Sequence, residues 1–243
     1  MPRALPRNDS RALPRNDLRQ YEALSEEWWR PDGAFAMLHW LAQARAARLP
    51  PAPRPDAVLV DLGCGGGVLA PHVAPLGYRH IGLDLVATSL RHARAHGVAP
   101  VLADVTAVPM VSDCADAVSA GEILEHVRQP STVVAEACRI LRPGGVLVLD
   151  TINATALARF VAVTIGERIP GGAPPGIHDP NLFVAPRVLI DECARHAVRL
   201  TVRGIRPAMG GMLRWLVTRR GPVPIVRTGS TAVLYQGYGV KED

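Results

Sequence analysis

The chain has 243 residues, 48% of them hydrophobic, and a formal net charge of +5. That length and apolar content are enough for one α/β domain with a substantial core. Nearly all the positive charge is arginine, with Lys241 the only lysine, and no arginine cluster alternates with aromatics, so a nucleic-acid partner is not expected.

The chain opens on an exact repeat, RALPRND at Arg3–Asp9 and again at Arg11–Asp17. A proline in each copy forbids a continuous helix, so residues 1–17 read as a disordered tail. From Leu18 the apolar residues Leu18, Tyr21, Leu24 and Trp28 recur at helical steps, and Phe35, Leu38, Leu41 and Leu49 mark a second helix. These two helices form an N-terminal lid, joined by the stiff linker Pro50–Pro55 to a strand at 57–62. Trp28 and Trp29 are candidates to cover a flat ligand, with ordinary packing as the alternative.

Val58–Val68 (VLVDLGCGGGV) carries the strongest signal. An apolar run with Asp61 leads into Gly63 and Gly65 to Gly67, as expected of a buried parallel strand whose turn brings bare backbone against a ligand. Counted from Gly63, the third glycine of a dinucleotide fingerprint falls on Val68, which disfavours a nicotinamide dehydrogenase. Cys64 lies inside this turn, and Cys114, Cys138 and Cys193 are scattered without metal-ligand spacing, so reduced thiols in the cytoplasm are expected.

Beyond the turn the pattern alternates: helix 67–75, strand 79–84, helix 87–96, strand 99–103, strand 115–120, helix 130–141 and strand 145–150. Asp84 and Asp104 end successive strands. Alternation of this kind predicts a doubly wound, mostly parallel sheet with its ligand at the carboxyl ends of the strands. Residues 151–180 interrupt the pattern as an insertion, with an apolar helix at Ala154–Ile165 that packs on the domain or rests on a membrane face. A helix near 186–196 and strands near 198–205 and 229–240 complete a seven-stranded sheet, so residues 57–243 form one domain. No run reaches the roughly 18 apolar residues of a membrane span, and no apolar signal core precedes Leu18.

Glu122, Glu125 and His126 follow the fourth strand. On one helical face they could hold a divalent ion, magnesium more readily than zinc, with capping and sheet packing as the alternative.

The acid–x–Gly–x–Gly turn resembles that of class I S-adenosylmethionine-dependent methyltransferases, whose fold is Rossmann-like. Three further stretches, WWRPDGAFAMLH (Trp28–His39), EILEHV (Glu122–Val127) and GIHDPNLFVAPRVL (Gly176–Leu189), are similar to the ubiquinone-biosynthesis O-methyltransferase family. The resemblance spans about residues 20–190. It implies that Gly63 and Gly65 back the methionine end of the cofactor, Asp61 supports the turn and the amino group, and Arg45 reaches the carboxylate. It further implies that Asp84 accepts the ribose hydroxyls, that Asp104 takes the adenine amine with Leu85 and Val105 alongside, and that Gly121 passes against the cofactor. His126, His178 and Glu122 are the candidates for taking a phenolic proton. Arg128-Gln129-Pro130 and the segment Pro207–Gly221 depart from the family pattern. The preferred expectation is O-methylation of a phenolic or catechol hydroxyl on a small aromatic molecule, with or without a polyprenyl chain. A C- or N-methyltransferase and a non-catalytic cofactor-binding module remain the alternatives.

Overall fold

The computed structural model describes residues 14–30, 32–169 and 172–242. Its first helices, α1 (Leu18–Ala23) and α2 (Ala36–Ala46), precede the sheet. The first is shorter than the apolar spacing predicts and passes into a 3-10 turn at Ser25–Glu27. The alternating core follows as β1 (Val58–Leu62), α3 (Ala70–Val73), β2 (Arg79–Asp84), α4 (Ala87–Ala95), β3 (Ala99–Leu102), β4 (Ala115–Gly121), α5 (Pro130–Ile140) and β5 (Leu141–Ile152). Pro130 begins α5, where its missing N–H costs no helical hydrogen bond.

The insertion holds α6 (Ala156–Arg159), a π-helical turn at Phe160–Ile165 and a 3-10 turn at Gly166–Arg168. The chain closes with α7 (Pro186–Arg195), β6 (Val198–Pro207), α8 (Met209–Thr218), β7 (Ile225–Thr228) and β8 (Leu234–Lys241). The sheet therefore has eight strands in the order β3-β2-β1-β4-β5-β8-β6-β7, one more than the seven expected. The extra strand, β7, is four residues long and pairs only with the end of β6, too short for alternation to announce it. β1 to β5 run parallel, and β8, β6 and β7 pair antiparallel at the edge.

Strand residues alternate between two cores. Leu59, Ala117, Val146 and Val148 pack with Ala42, Leu49 and Val73 from the α2 and α3 side. Val60, Leu62, Val118, Leu147 and Leu149 pack with Val133, Ala137 and Leu189 from α5 and α7. With both faces covered, the functional groups are left to the strand ends.

The N-terminal segment departs from the expected disordered tail. Pro14–Asp17 is described and docked: Asn16 N donates to Gly176 O at 3.0 Å, and Arg15 pairs with Glu167 at 3.0 Å. The first copy of the repeat lies outside the described residues. All four cysteines are free. No helix among the described residues is long and apolar enough to cross a membrane.

Candidate active site

The carboxyl ends of β3, β2, β1 and β4 open into one cavity of roughly 290 Å3, closed over by α1, α2 and the insertion. It is lined by Arg45, Asp61, Gly63, Gly65, Asp84, Leu85, Asp104, Val105, Gly121, Glu122, His126 and His178, which gathers every expected site residue except Glu125. Strand order lays them out in sequence. Asp104 and Asp84 lie at one end, the glycine turn at the centre, and Glu122 with the two histidines at the other.

The turn is held from β2. Gly63 N and Cys64 N both donate to Leu83 O, at 2.8 and 3.0 Å. Gly65 N donates to Asp84 Oδ2 at 2.9 Å, and Val86 N donates to Asp84 Oδ1 at 2.8 Å. Asp61, expected to support the turn, instead faces His80 at 3.5 Å, because the neighbouring strand supplies the acceptors at closer range. Gly63 and Gly65 have φ of +71° and +51°, a region that strains a side chain. A Cβ on Gly65 would also come within 2.3 Å of Trp28.

Each Asp84 oxygen accepts one amide and keeps a second lone pair, so the carboxylate can take two further donors, as a vicinal diol provides. Burial pushes this carboxyl above its usual range, against the pull of its amide donors. Asp104 is more exposed. Its Oδ1 accepts from Thr106 N and Oγ1 at 2.8 and 2.7 Å, between exposed Leu85 and buried Val105. An acceptor edge between apolar walls suits a flat ring bearing an amine.

Arg45 is buried and forks onto Asp150 at 2.7 and 2.8 Å. Burial opposes its charge, but Asp150 and Asp61 more than restore it. A Cβ on Gly121 would lie 1.8 Å from the Arg45 guanidinium. Gly121 thus makes room for an arginine as well as facing the cavity. The Arg45 Nε has no partner among the described residues, leaving a buried donor for an anionic group.

Trp28 donates from its indole to Ser89 Oγ at 3.0 Å and stacks on Phe35 at 4.0 Å, forming a fixed wall of the cavity. Trp29 donates to Gly66 O at 2.9 Å and stacks on His96 at 3.5 Å, so its role is packing behind the turn.

At the other end, Glu122 holds φ of +52°. Burial, then the neighbouring Glu125, pushes its carboxyl well above the usual range. Glu125 is fully buried, raised by burial, and its Oε2 accepts from Thr151 Oγ1 at 2.7 Å. Glu122, Glu125 and His126 do not form the expected metal donor set. Among the described residues, no three His, Cys, Asp or Glu are arranged to hold an ion. Leu124–His126 is a 3-10 turn rather than an α-helix, so the i, i+3, i+4 face assumed for these residues does not form.

His126 is turned toward the N-terminal segment. Its Nδ1 lies 2.8 Å from Asn16 Oδ1, and Tyr21 Oη stands 3.3 Å from Nδ1 and Nε2 alike. Burial, then His178, lowers its pKa to about 3, so it is neutral. Asn16 thus takes Nδ1, and burial opposes the imidazolium that a proton acceptor must become.

His178 meets a different set of neighbours. It stacks on His126 at 5.6 Å, and its Nδ1 stands 3.4 Å from Glu167 Oε1, within ion-pair reach though longer than a normal hydrogen bond. Glu167 also accepts from Gly176 N at 2.9 Å, from His178 N at 3.3 Å and from Arg15 at 3.0 and 3.1 Å. Burial raises this carboxyl, but the donors, His178 first among them, overcome it and hold the pKa at about 2. An ionised carboxylate facing Nδ1 favours the tautomer with its proton there, leaving Nε2 as the basic nitrogen.

Sequence reasoning missed Glu167, Arg15 and Asn16. Glu167 lies eleven residues before His178 in an irregular insertion, where no periodicity links the two. Arg15 and Asn16 sit in a repeat that reads as tail, and nothing in the repeat marks them out.

Residues 60–149 match the family model described as a methyltransferase domain. The ubiquinone biosynthesis O-methyltransferase of Methylobacterium sp. (strain 4-46) is 36% identical over 189 residues, 70% of this chain and 76% of that protein. The enzyme of the same name from Xanthomonas campestris pv. campestris (strain B100) is 34% identical over 195 residues, 76% of this chain and 80% of that protein. Among solved structures, a SAM-dependent methyltransferase from Thermotoga maritima shares the fold with a TM-score of 0.64 at 17% identity, covering 93% of this chain and all of that one. The acceptor pair on Asp84, the bare glycine turn and these relatives converge: the chain belongs to the ubiquinone biosynthesis O-methyltransferase family and is an S-adenosylmethionine-dependent O-methyltransferase.

Proposed function

We propose that the protein methylates a phenolic or catechol hydroxyl on a small aromatic molecule carrying a prenyl chain. The observation that carries this reading is the pairing, in one cavity, of the Asp84 acceptor site with a histidine whose Nδ1 faces a buried carboxylate at 3.4 Å. The names of the relatives support the choice of an aromatic oxygen.

Asp84 and Asp104 would hold the nucleoside of S-adenosylmethionine, with Arg45 and Asp61 at its carboxylate and ammonium. When bound, the cofactor supplies an electrophilic sulfonium methyl group. The residues at the far end then have two tasks. Leu18, Leu38, Val127, Pro174 and Ile177 line the cavity and exclude water from around an aromatic ring. His178 takes the proton of a hydroxyl whose reference pKa is near ~10, which neutral solution leaves protonated. Glu167 positions that imidazole and stabilises the imidazolium once it forms. Glu122, with its raised carboxyl, lies where it can hydrogen-bond a second hydroxyl of a catechol. No step passes through a metal, because the donor set for one does not assemble.

Leu157, Phe160 and Ile165 on the insertion are 51%, 54% and 41% exposed. This apolar surface supports peripheral contact of residues 151–180 with a membrane, where prenylated aromatics reside. The test is transfer of labelled methyl from S-adenosylmethionine to a panel of catechols and prenylated phenols. Label on an aromatic oxygen, lost in His178→Ala while cofactor binding persists, is the expected result. Label on carbon or nitrogen, or full activity in His178→Ala, overturns the reading.

A further inference from the structure

We infer that α8 (Met209–Thr218) is an interfacial helix that seats the protein on an anionic lipid surface beside the cavity. The segment Pro207–Gly221 has no part in the site described above. Its inner face packs on the domain. Trp215 is buried and meets Trp40 of α2 edge-on at 5.1 Å, and Ala36 and Val223 complete that cluster. The helix is thus held to the domain by one face.

The other face is not covered by any described residue. Met209, Leu213 and Val217 stand at i, i+4 and i+8, which places them in one stripe, and they are 72%, 66% and 78% exposed. Three large apolar side chains in a row on an otherwise well-anchored helix are costly to leave in water.

Charge selects the partner. Residues 193–241 contain nine cations and no acid; Arg195, Arg199 and Lys241 pair with Glu192, Glu242 and Asp113 at the far edge of the sheet, which leaves the charge near α8 to the arginines from Arg203 onward. Of these, Arg206, Arg214 and Arg220 are exposed on or next to α8. An apolar stripe flanked by arginines is the pattern of a helix lying in the plane of a negatively charged bilayer. A protein partner would need an acidic apolar groove, and nothing here favours one over lipid.

Register gives the helix its place. Ile152 of β5 pairs with Leu234 of β8, which pairs with Ile205 of β6. β5 therefore ends at the same edge of the sheet at which β6 ends and α8 begins. This is the carboxyl end of the parallel strands, where the cavity opens. Met37, on the α2 segment that carries the α8 contacts, lines that cavity. A lipid seat at α8 therefore sets the cavity against the bilayer, where an amphipathic substrate could enter without crossing water. The proposal goes beyond the seating of residues 151–180 proposed above, and the two fail separately.

The experiment is co-sedimentation of the full chain with vesicles of phosphatidylglycerol and phosphatidylcholine or of phosphatidylcholine alone, at low and high salt. Wild type should bind the anionic vesicles, more weakly as salt rises. Met209→Asp/Leu213→Asp/Val217→Asp should lower that binding by about tenfold or more, with an unchanged melting temperature because all three side chains face outward. Leu157→Asp/Phe160→Asp tests the insertion alone. Binding unaltered in the α8 variant, or no binding of wild type to any vesicle, overturns the proposal. So does a wild-type dimer that the α8 variant converts to monomer without altered vesicle binding, which would make the stripe a contact between copies. A methyl-transfer assay on a water-soluble catechol reads the enzyme reading independently, since the α8 variant should retain full activity there.

Discussion

Asp84→Asn isolates the cofactor contact with the least change in shape. In the wild type each carboxylate oxygen accepts one backbone amide and has room for one ribose hydroxyl. Asparagine keeps one oxygen. If that oxygen stays on Val86 N, the side-chain amide faces Gly65 N, donor against donor, and only one hydroxyl finds an acceptor. Hydrogen bonds to a charged acceptor are worth about 1.5–3 kcal/mol each, and neutral ones about half that. Losing one and weakening the other costs about 2–4 kcal/mol, or ~30- to ~1000-fold in Kd. Relief of the buried charge partly offsets the lost Gly65 contact, so the fold should survive. Isothermal titration with S-adenosylhomocysteine, alongside a thermal melt, reads both quantities. A folded variant binding within about threefold of wild type would show that the ribose does not rest on Asp84, and the placement of the whole cofactor would fail with it.

Four more outcomes follow from the same geometry. Gly121→Ala puts a methyl group onto the Arg45 guanidinium, breaks its buried pair with Asp150, and should cost about 3–5 kcal/mol in a denaturant titration; an unchanged midpoint would refute that close approach. Glu167→Gln should lower kcat at least about tenfold with cofactor affinity intact, because His178 loses the carboxylate that fixes its tautomer. The Glu167 carboxyl is depressed to about 2, so the stability it adds is present above the ordinary glutamate range and lost as pH falls toward that value. Melting curves from neutral to acid pH should therefore fall more steeply for wild type than for Glu167→Gln, and parallel curves would count against the pairing. Finally, chelator should leave methyl transfer unchanged, since Glu125 and His126 point to different partners; activity lost in chelator and restored by magnesium would mean that Glu122, Glu125 and His126 regroup around an ion.

Much of this molecule is readable from the chain because the relevant physics is local. The run from Val58 to Val68 names a buried strand and its turn, since apolar residues followed by glycines have few other uses. Asp84 and Asp104 at strand ends follow from alternation, and right-handed crossovers bring such ends to one rim. The same reasoning failed at Glu122–His126, where a helical face was assumed and a 3-10 turn with one left-handed residue formed. It failed again for β7, a four-residue strand that exists because the end of β6 offers it an edge.

The sequence alone determined the wound sheet, the cofactor rim and the family, for these rest on periodicity and on short spacings that survive without knowing any distant neighbour. Only the tertiary structure decided what surrounds each of the two histidines. Asn16 and Tyr21 occupy His126 across more than a hundred residues of chain, while Glu167, Arg15 and the Gly176 amide gather around His178. Proton affinity is set by burial and by groups that lie close in space, and those neighbours are chosen by the packing of the insertion and the N-terminal segment over the sheet.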